Sequence, residues 1–226
     1  MISVITPTYR NGPELEVAIA SLNEQTFQDW QHVIVADGPD PELRARLEKL
    51  GYKAHGKRIF MELGRNWHGF MGGDNAPTPE GRPGTRGGRG SRGSMAARAG
   101  IFLASGEYIC YLDSDCRYLP DHLDYAAAAL TPGIDFVYTK VRRIVDGRIL
   151  DVIGTGTPVY SAIDGNGVVH TAELLKIANW RWGGDSDWDV IGRWIEAGAA
   201  YTFVPVITVD WSHAGSDLWT LRGVLG

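Results

Sequence analysis

The sequence is poor in cysteine, in long apolar runs and in positive charge, and each shortage removes a class of protein. Its two cysteines, Cys110 and Cys116, are too few for a disulfide framework, and their spacing matches no zinc-ligand pattern. No apolar run approaches the ~20 residues that a membrane-spanning helix needs. The opening MISVITPTYR enters a strand pattern directly, without the charged leader of a signal peptide. These features give the expectation of a cytoplasmic protein with no membrane span. Lys and Arg number 22 against 27 Asp and Glu, a formal net charge of −5, so the surface as a whole is not built to condense on a phosphate polymer. What remains is 226 residues, 44% of them hydrophobic, enough to bury one full core.

The first half alternates strand and helix signals. Ile2–Pro7 is a β-branched run closed by proline, and helical spacing follows at Leu15, Ala18, Ile19 and Leu22. His32–Asp37 reads as a second buried strand, Pro41–Gly51 as a helix with proline at its start and glycine at its stop, and Lys57–Leu63 as a third strand. An alanine-rich helix over Met95–Gly106, with glycine as its stop, and a strand over Glu107–Asp113 complete a doubly wound α/β pattern with a mostly parallel sheet. In the second half, Asp135–Gly154 reads as a hairpin turning at Asp146-Gly147. A strand entering a short helix, a helix over Asp187–Gly198 and a final strand follow.

Ligands of such sheets bind beyond the carboxyl ends of the strands. Pro7-Thr8-Tyr9, Asp37 and Asp113-Ser114-Asp115 all fall at such ends. Two carboxylates in a D-x-D triplet suit a hard cation such as Mn²⁺ or Mg²⁺. His213 is a candidate third ligand or phosphate contact. Asp185, Asp187 and Asp189 precede a helix, where acids favour the dipole and can cap it; three acids leave room for one to cap while another acts as a general base. Trp182, beside Arg181 and two glycines, is the candidate for stacking on an acceptor, with Asp185 on the same side.

Taken in order, SVITPTYRN, SLNEQTFQDWQHVIVADG, ARAGIFLASGEYICYLDSD and DSDWDVIGRWIEAG resemble the inverting family 2 glycosyltransferases of GT-A fold. The resemblance implies a single domain over residues 1–226, with a nucleotide-sugar-binding half (1–115) and an acceptor-binding, catalytic half (116–226). It implies a mostly parallel central sheet with a smaller mixed one on the acceptor side. It also implies a nucleoside-diphosphate sugar donor, usually UDP-linked, and a divalent metal on the diphosphate. By position, Thr6, Pro7, Thr8 and Tyr9 would line the nucleoside pocket and Asp37 would hydrogen-bond the base. Asp113 and Ser114 would lie on the donor, with Asp113 and Asp115 at the ribose and metal and Asp115 the direct ligand. His213 would approach metal or diphosphate, and Asp187 would be the catalytic base, with Asp185 its alternative. The chain departs from the family pattern in having Ala36-Asp37 for a pair of acids and Ser186-Asp187 for Glu-Asp. Its segment between Asn66 and Ser94 is also longer than the family's loop.

That segment contains GRPGTRGGRGSRGS, residues 81–94, which matches three unrelated motifs. A dinucleotide fingerprint should join the first strand to its helix, and this one follows the third. The GTR of nucleotidyltransferases fails on the same ground, and an RGG-type RNA-binding tail would not be internal to an acidic domain. It reads instead as a donor-side loop, with Arg92 the residue placed to contact the donor. The acceptor (a glycan, a small molecule or a modified nucleic acid) and the oligomeric state are not specified by the sequence. The competing readings are a nucleic-acid-directed protein and a nucleotidyltransferase acting on sugar phosphates.

Overall fold

A computed structural model describes residues 1–9, 12–67, 93–180 and 186–212. Within them nine strands form one sheet, in the order β3-β2-β1-β4-β8-β6-β9-β5, with β7 pairing β6. β1 (Ile2–Thr8), β2 (Trp30–Ala36), β3 (Arg58–Glu62) and β4 (Tyr108–Tyr111) run parallel. The rest is mixed: β8 (Val168–Thr171) is antiparallel to both β4 and β6 (Phe136–Val145), and β9 (Tyr201–Ser212) is parallel to β6 and antiparallel to β5 (Cys116–Tyr118). The parallel and mixed parts are therefore hydrogen-bonded into one continuous sheet through the β4–β8 pair.

Helices cover both faces because alternate strand residues point to opposite sides. On one face Val4 packs with Ala18 and Leu22 of α1 (Pro13–Asn23) and with Leu123 and Ala126 of α4 (His122–Ala129). Ile34 and Phe60 of that face pack with Leu43 and Leu47 of α2 (Pro41–Lys49). On the other, Ile5, Val33 and Val35 meet Ala96 and Ala97 of α3 (Ser94–Leu103). α3 crosses β1 so closely that a Cβ at Gly100 would lie 2.5 Å from Ile5 Cγ2. Phe136 and Tyr138 pack with Val190, Ile191 and Trp194 of α5 (Ser186–Glu196).

The local signals act as their chemistry requires. Asp40 caps α2 by accepting from Leu43 N–H at 2.9 Å, with Pro41 in the first turn, where its missing N–H costs nothing. The β6–β7 turn places Asp146 at φ 48° and Gly147 at φ 73°, the left-handed pair of a tight hairpin, and β7 spans Arg148–Ile153. The α3 expectation ran too far: the helix stops at Leu103 because Ala104 turns extended, letting Gly106 pass against the Met1 carbonyl, 2.8 Å from a Cβ built there. β5 and α4 carry no reading from sequence; a three-residue strand and an alanine run offer little periodicity to detect. No described helix is long and apolar enough to cross a membrane.

Candidate active site

Parallel pairing brings the carboxyl ends of β1 and β2 together, with Thr8 opposite Ala36 and the Asp37 N–H donating to the Thr8 carbonyl at 2.8 Å. Beyond them lies a cavity of about 170 Å³ lined by Thr8, Tyr9, Asp37, Gly38, Leu43 and Asn66, among others. Asn66 Nδ2 donates to Tyr9 Oη at 2.7 Å, and Asp37 Oδ1 accepts from Trp67 N–H at 2.9 Å. Gly38 permits this approach: its φ is +115°, and a Cβ there would sit 3.0 Å from Asn66 N. Thr8 is buried, and its hydroxyl has no hydrogen-bond partner among the described residues. A buried hydroxyl left without a partner at a cavity wall is a cost that a polar ligand would remove.

Thr6 is placed differently from what the family resemblance implies. Its hydroxyl shares a 2.9 Å hydrogen bond with His32 Nε2, His32 Nδ1 meets Tyr52 Oη at 2.6 Å, and Thr6 lines no part of the cavity. Burial holds His32 neutral, its pKa lowered to about 3. Period-two alternation explains the placement, since Thr6 and Thr8 share a strand face while only Thr8 reaches the strand end. Pro7 packs under Gly93, whose φ of +76° starts α3.

The second cluster forms beyond β4. Asp113, Ser114 and Asp115 make a tight turn closed by Cys116 N–H to the Asp113 carbonyl at 2.9 Å. The ligand atoms of Asp113, Asp115 and Cys116 all lie within 4.8 Å of one another. β8 runs antiparallel to β4 with Cys110 opposite Val169, and that register carried onward sets Asp113 opposite Asn166. Asp113 N–H donates to Asn166 Oδ1 at 2.7 Å, and Asn166 Nδ2 donates to Asp113 Oδ2 at 3.1 Å and to Asp164 Oδ1 at 3.0 Å. One residue away, Gly165 N–H donates to Asp187 Oδ2 at 2.7 Å. Four aspartates (113, 115, 164 and 187) are thereby gathered from three distant stretches of chain.

Their protonation reflects that crowding. Burial, then the charges of Asp115 and Asp187, pushes the Asp113 carboxyl up to about 8 against the pull of Asn166. Burial and Asp164 raise Asp187 to about 6, opposed by the N–H bonds from Gly165 and its own backbone. Asp164 is raised by burial too, with Asn166 and Arg143 acting against it. Carboxylates that raise one another in this way are relieved by a cation. The oxygen donors of Asp113 and Asp115 fit a hard divalent ion such as Mn²⁺ or Mg²⁺. The buried Cys116 thiol is pushed well above its ordinary range, first by burial and then by the same aspartates, so it stays protonated beside them.

The acid run before α5 divides its work. Asp189 is buried and pairs with Arg193 one turn on at 3.0 Å, a structural role, whereas Asp187 in the first turn faces the cluster. Asp185, Trp182, Arg92 and His213 lie outside the described residues; β9 reaches Ser212, whose N–H donates to the Asp115 carbonyl at 3.1 Å. Asp164 and Asn166 escaped the sequence reading. Their signal is DGNG immediately before a strand, and nothing local says which other strand end it will face.

The sequence matches the family model described as glycosyl transferase family 2 over residues 3–76 and 85–172. No curated protein matches it. Solved structures of similar fold include S. aureus TarS 1–349 in complex with UDP, at a TM-score of 0.67 and 18% identity over 94% of this chain and 60% of that one. The mannosyltransferase PcManGT from Pyrobaculum calidifontis, in complex with GDP-Man and Mn²⁺, aligns at a TM-score of 0.62 and 15% identity over 98% of this chain and 58% of that one. The chain thus spans about three-fifths of the length of these structures. Identities this low speak to the fold alone.

Proposed function

The chain belongs to glycosyl transferase family 2 and is a glycosyltransferase of GT-A fold, and from that premise we propose that it transfers a sugar with inversion from a nucleoside-diphosphate donor, UDP-linked, to an acceptor hydroxyl. The observation that carries the reading is the placement of Asp187: a carboxylate raised by burial to about 6 and hydrogen-bonded to the same turn that holds Asp113. A general base is most effective with a pKa near the working pH, and burial has moved this group toward it.

In the proposed reaction the cavity beside Asp37 takes the nucleoside, with Tyr9 and the Thr8 hydroxyl at its wall. Asp113 and Asp115 hold the divalent cation, which when bound supplies charge neutralisation to the departing diphosphate. Asp187 accepts the proton of the acceptor hydroxyl as its oxygen forms the bond to the anomeric carbon. The bond from that carbon to the diphosphate oxygen breaks on the opposite face, so one displacement inverts the configuration. Asp164 beside Asp187 adds to the upward shift that burial begins, which strengthens Asp187 as a base. On this reading residues 1–115 bind the donor and 116–226 supply the acceptor side. The UDP complex of TarS supports a UDP-linked donor, and the GDP-Man and Mn²⁺ complex of PcManGT supports the cation while making GDP the competing base.

Thermal-shift measurements with UDP-, GDP-, TDP- and CDP-sugars, with and without Mn²⁺, test the donor assignment. Stabilisation by a UDP-sugar that grows with Mn²⁺ is expected; no metal-dependent shift with any of the four would overturn the proposal. Asp187→Asn should lower turnover of the donor so identified by about 10²–10⁴-fold, the range of general-base action, while nucleotide affinity stays within twofold. Full activity in that variant removes Asp187 from the role.

A further inference from the structure

We infer that Asn166 is a positioning residue of this site: its carboxamide, braced by Asp164, holds Asp113 in register with Asp187. The inference rests on the reading above, in which Asp113 serves the donor end and Asp187 the acceptor end.

Asn166 is buried, at 4% exposure, yet none of its bonding serves the core. Its carbonyl oxygen takes the Asp113 N–H, and its amide nitrogen divides its two hydrogens between the Asp113 and Asp164 carboxylates. Asp164 Oδ1 in turn accepts from the Asn166 backbone N–H at 2.9 Å, which locks the short 3-10 turn of Gly165–Gly167. Only an amide of this length does all of this. Aspartate would offer no hydrogen to either carboxylate and would add another charge among four. Alanine would leave the Asp113 N–H without its acceptor.

The same turn also sets Asp187. Gly165 lies beneath its carboxylate: the N–H donates to Oδ2 at 2.7 Å, and a Cβ at Gly165 would stand 2.8 Å from Asp187 Cγ. Asp113 follows β4 and Asp187 opens α5, and they are held from adjacent residues of one three-residue turn. The spacing between the two ends of the site therefore depends on Asn166 and Gly165 as well as on the packing of α5 against the sheet. Groups that orient a metal-binding carboxylate in this way typically alter metal affinity by ~10–100-fold when removed.

The test crosses two substitutions. Mn²⁺ affinity is read from water-proton relaxation, UDP affinity from calorimetry without metal, and turnover from nucleotide release with UDP-GlcNAc or GDP-mannose, whichever the wild type uses. Asn166→Ala should weaken Mn²⁺ by about tenfold or more and lower turnover, while metal-free UDP affinity stays within twofold. Gly165→Ala should leave Mn²⁺ within twofold and lower turnover alone, because it displaces only Asp187. Asn166→Asp, which preserves shape, should not restore Mn²⁺ affinity; restoration would assign Asn166 to packing and overturn the inference. So would an Asn166→Ala protein of wild-type Mn²⁺ affinity, or Gly165→Ala and Asn166→Ala losing both properties in parallel. Melting temperatures identify a variant that does not fold, in which case the other two substitutions decide. A wild-type protein that binds neither nucleotide with Mn²⁺ overturns the donor reading, and the inference with it; failure confined to the variants overturns the inference alone.

Discussion

Two aspartates, one within the sheet and one just past the end of β4, live in opposite company. Asp210, in β9, is 1% exposed and lies between Arg117 of β5 and Arg142 of β6, its register partners on either side. The two guanidinium groups make four N–H···O contacts to it at 2.7–2.9 Å. Asp113, at the end of β4, is given an amide and three further aspartates. The first arrangement is closed and ties three strands together. The second sets carboxylates against one another, a repulsion that the fold tolerates and a cation would relieve. The difference separates a carboxylate that belongs to the structure from one that belongs to the chemistry.

Breaking the closed arrangement should have the largest effect on stability. Asp210→Ala leaves two guanidinium groups facing each other and should cost about 3 kcal/mol, the low end for a broken buried pair because both arginines are partly exposed; urea unfolding measures it. A loss below ~1 kcal/mol would make the row a surface pair and weaken the contrast. The open arrangement predicts an inverted pH response. Asp113 and Asp187 have folded pKa values raised to about 8 and about 6, so the native state binds more protons than the unfolded one above the ordinary carboxylate range. Their favourable contribution is present below pH ~4 and is lost as pH rises through 6 and 8. Metal-free protein should therefore lose melting temperature across that window by more than the ~2–4 °C that 1 kcal/mol represents for a domain of this size. Mn²⁺ should flatten the curve, and a metal-free curve that rises across the window contradicts the assignment.

Smaller again, Asp113→Asn removes the raised charge while keeping an oxygen for Asn166. At pH 8 it should raise the melting temperature of the metal-free protein by about 2–4 °C and abolish the shift caused by Mn²⁺. Stabilisation by the ion that survives the substitution would place the cation elsewhere. The smallest effect is expected of Arg142→Lys, which trades a bidentate fork for a single ammonium contact and should cost ~0.5–1.5 kcal/mol.

Much of the fold was legible because its signals are local. The apolar runs of β1, β2 and β4, the proline at the start of α2 and Asp146-Gly147 in the hairpin each act within a few residues. The strand-end rule then located Thr8, Tyr9, Asp37, Asp113 and Asp115 without coordinates. It could not say how Thr6 turns, since a strand's two faces differ only by what packs on them, and His32 is what packs on Thr6. Of the three acids before α5 the sequence favoured Asp187 with Asp185 as its alternative, and the structure adds that Asp189 is taken into an ion pair by Arg193.

The sequence by itself determined a doubly wound α/β chain with acids at its strand ends and a family 2 pattern running through it, because periodicity, caps and turns are properties of neighbouring residues. Only the tertiary structure decided that Asp164, Gly165 and Asn166 stand against Asp113 and Asp187. That juxtaposition follows from β8 pairing antiparallel to β4, a choice made by the burial of Val169 and Cys110 in a common core. The charges those residues acquire depend in turn on burial and on acids distant in sequence, and neither exists until the sheet has formed.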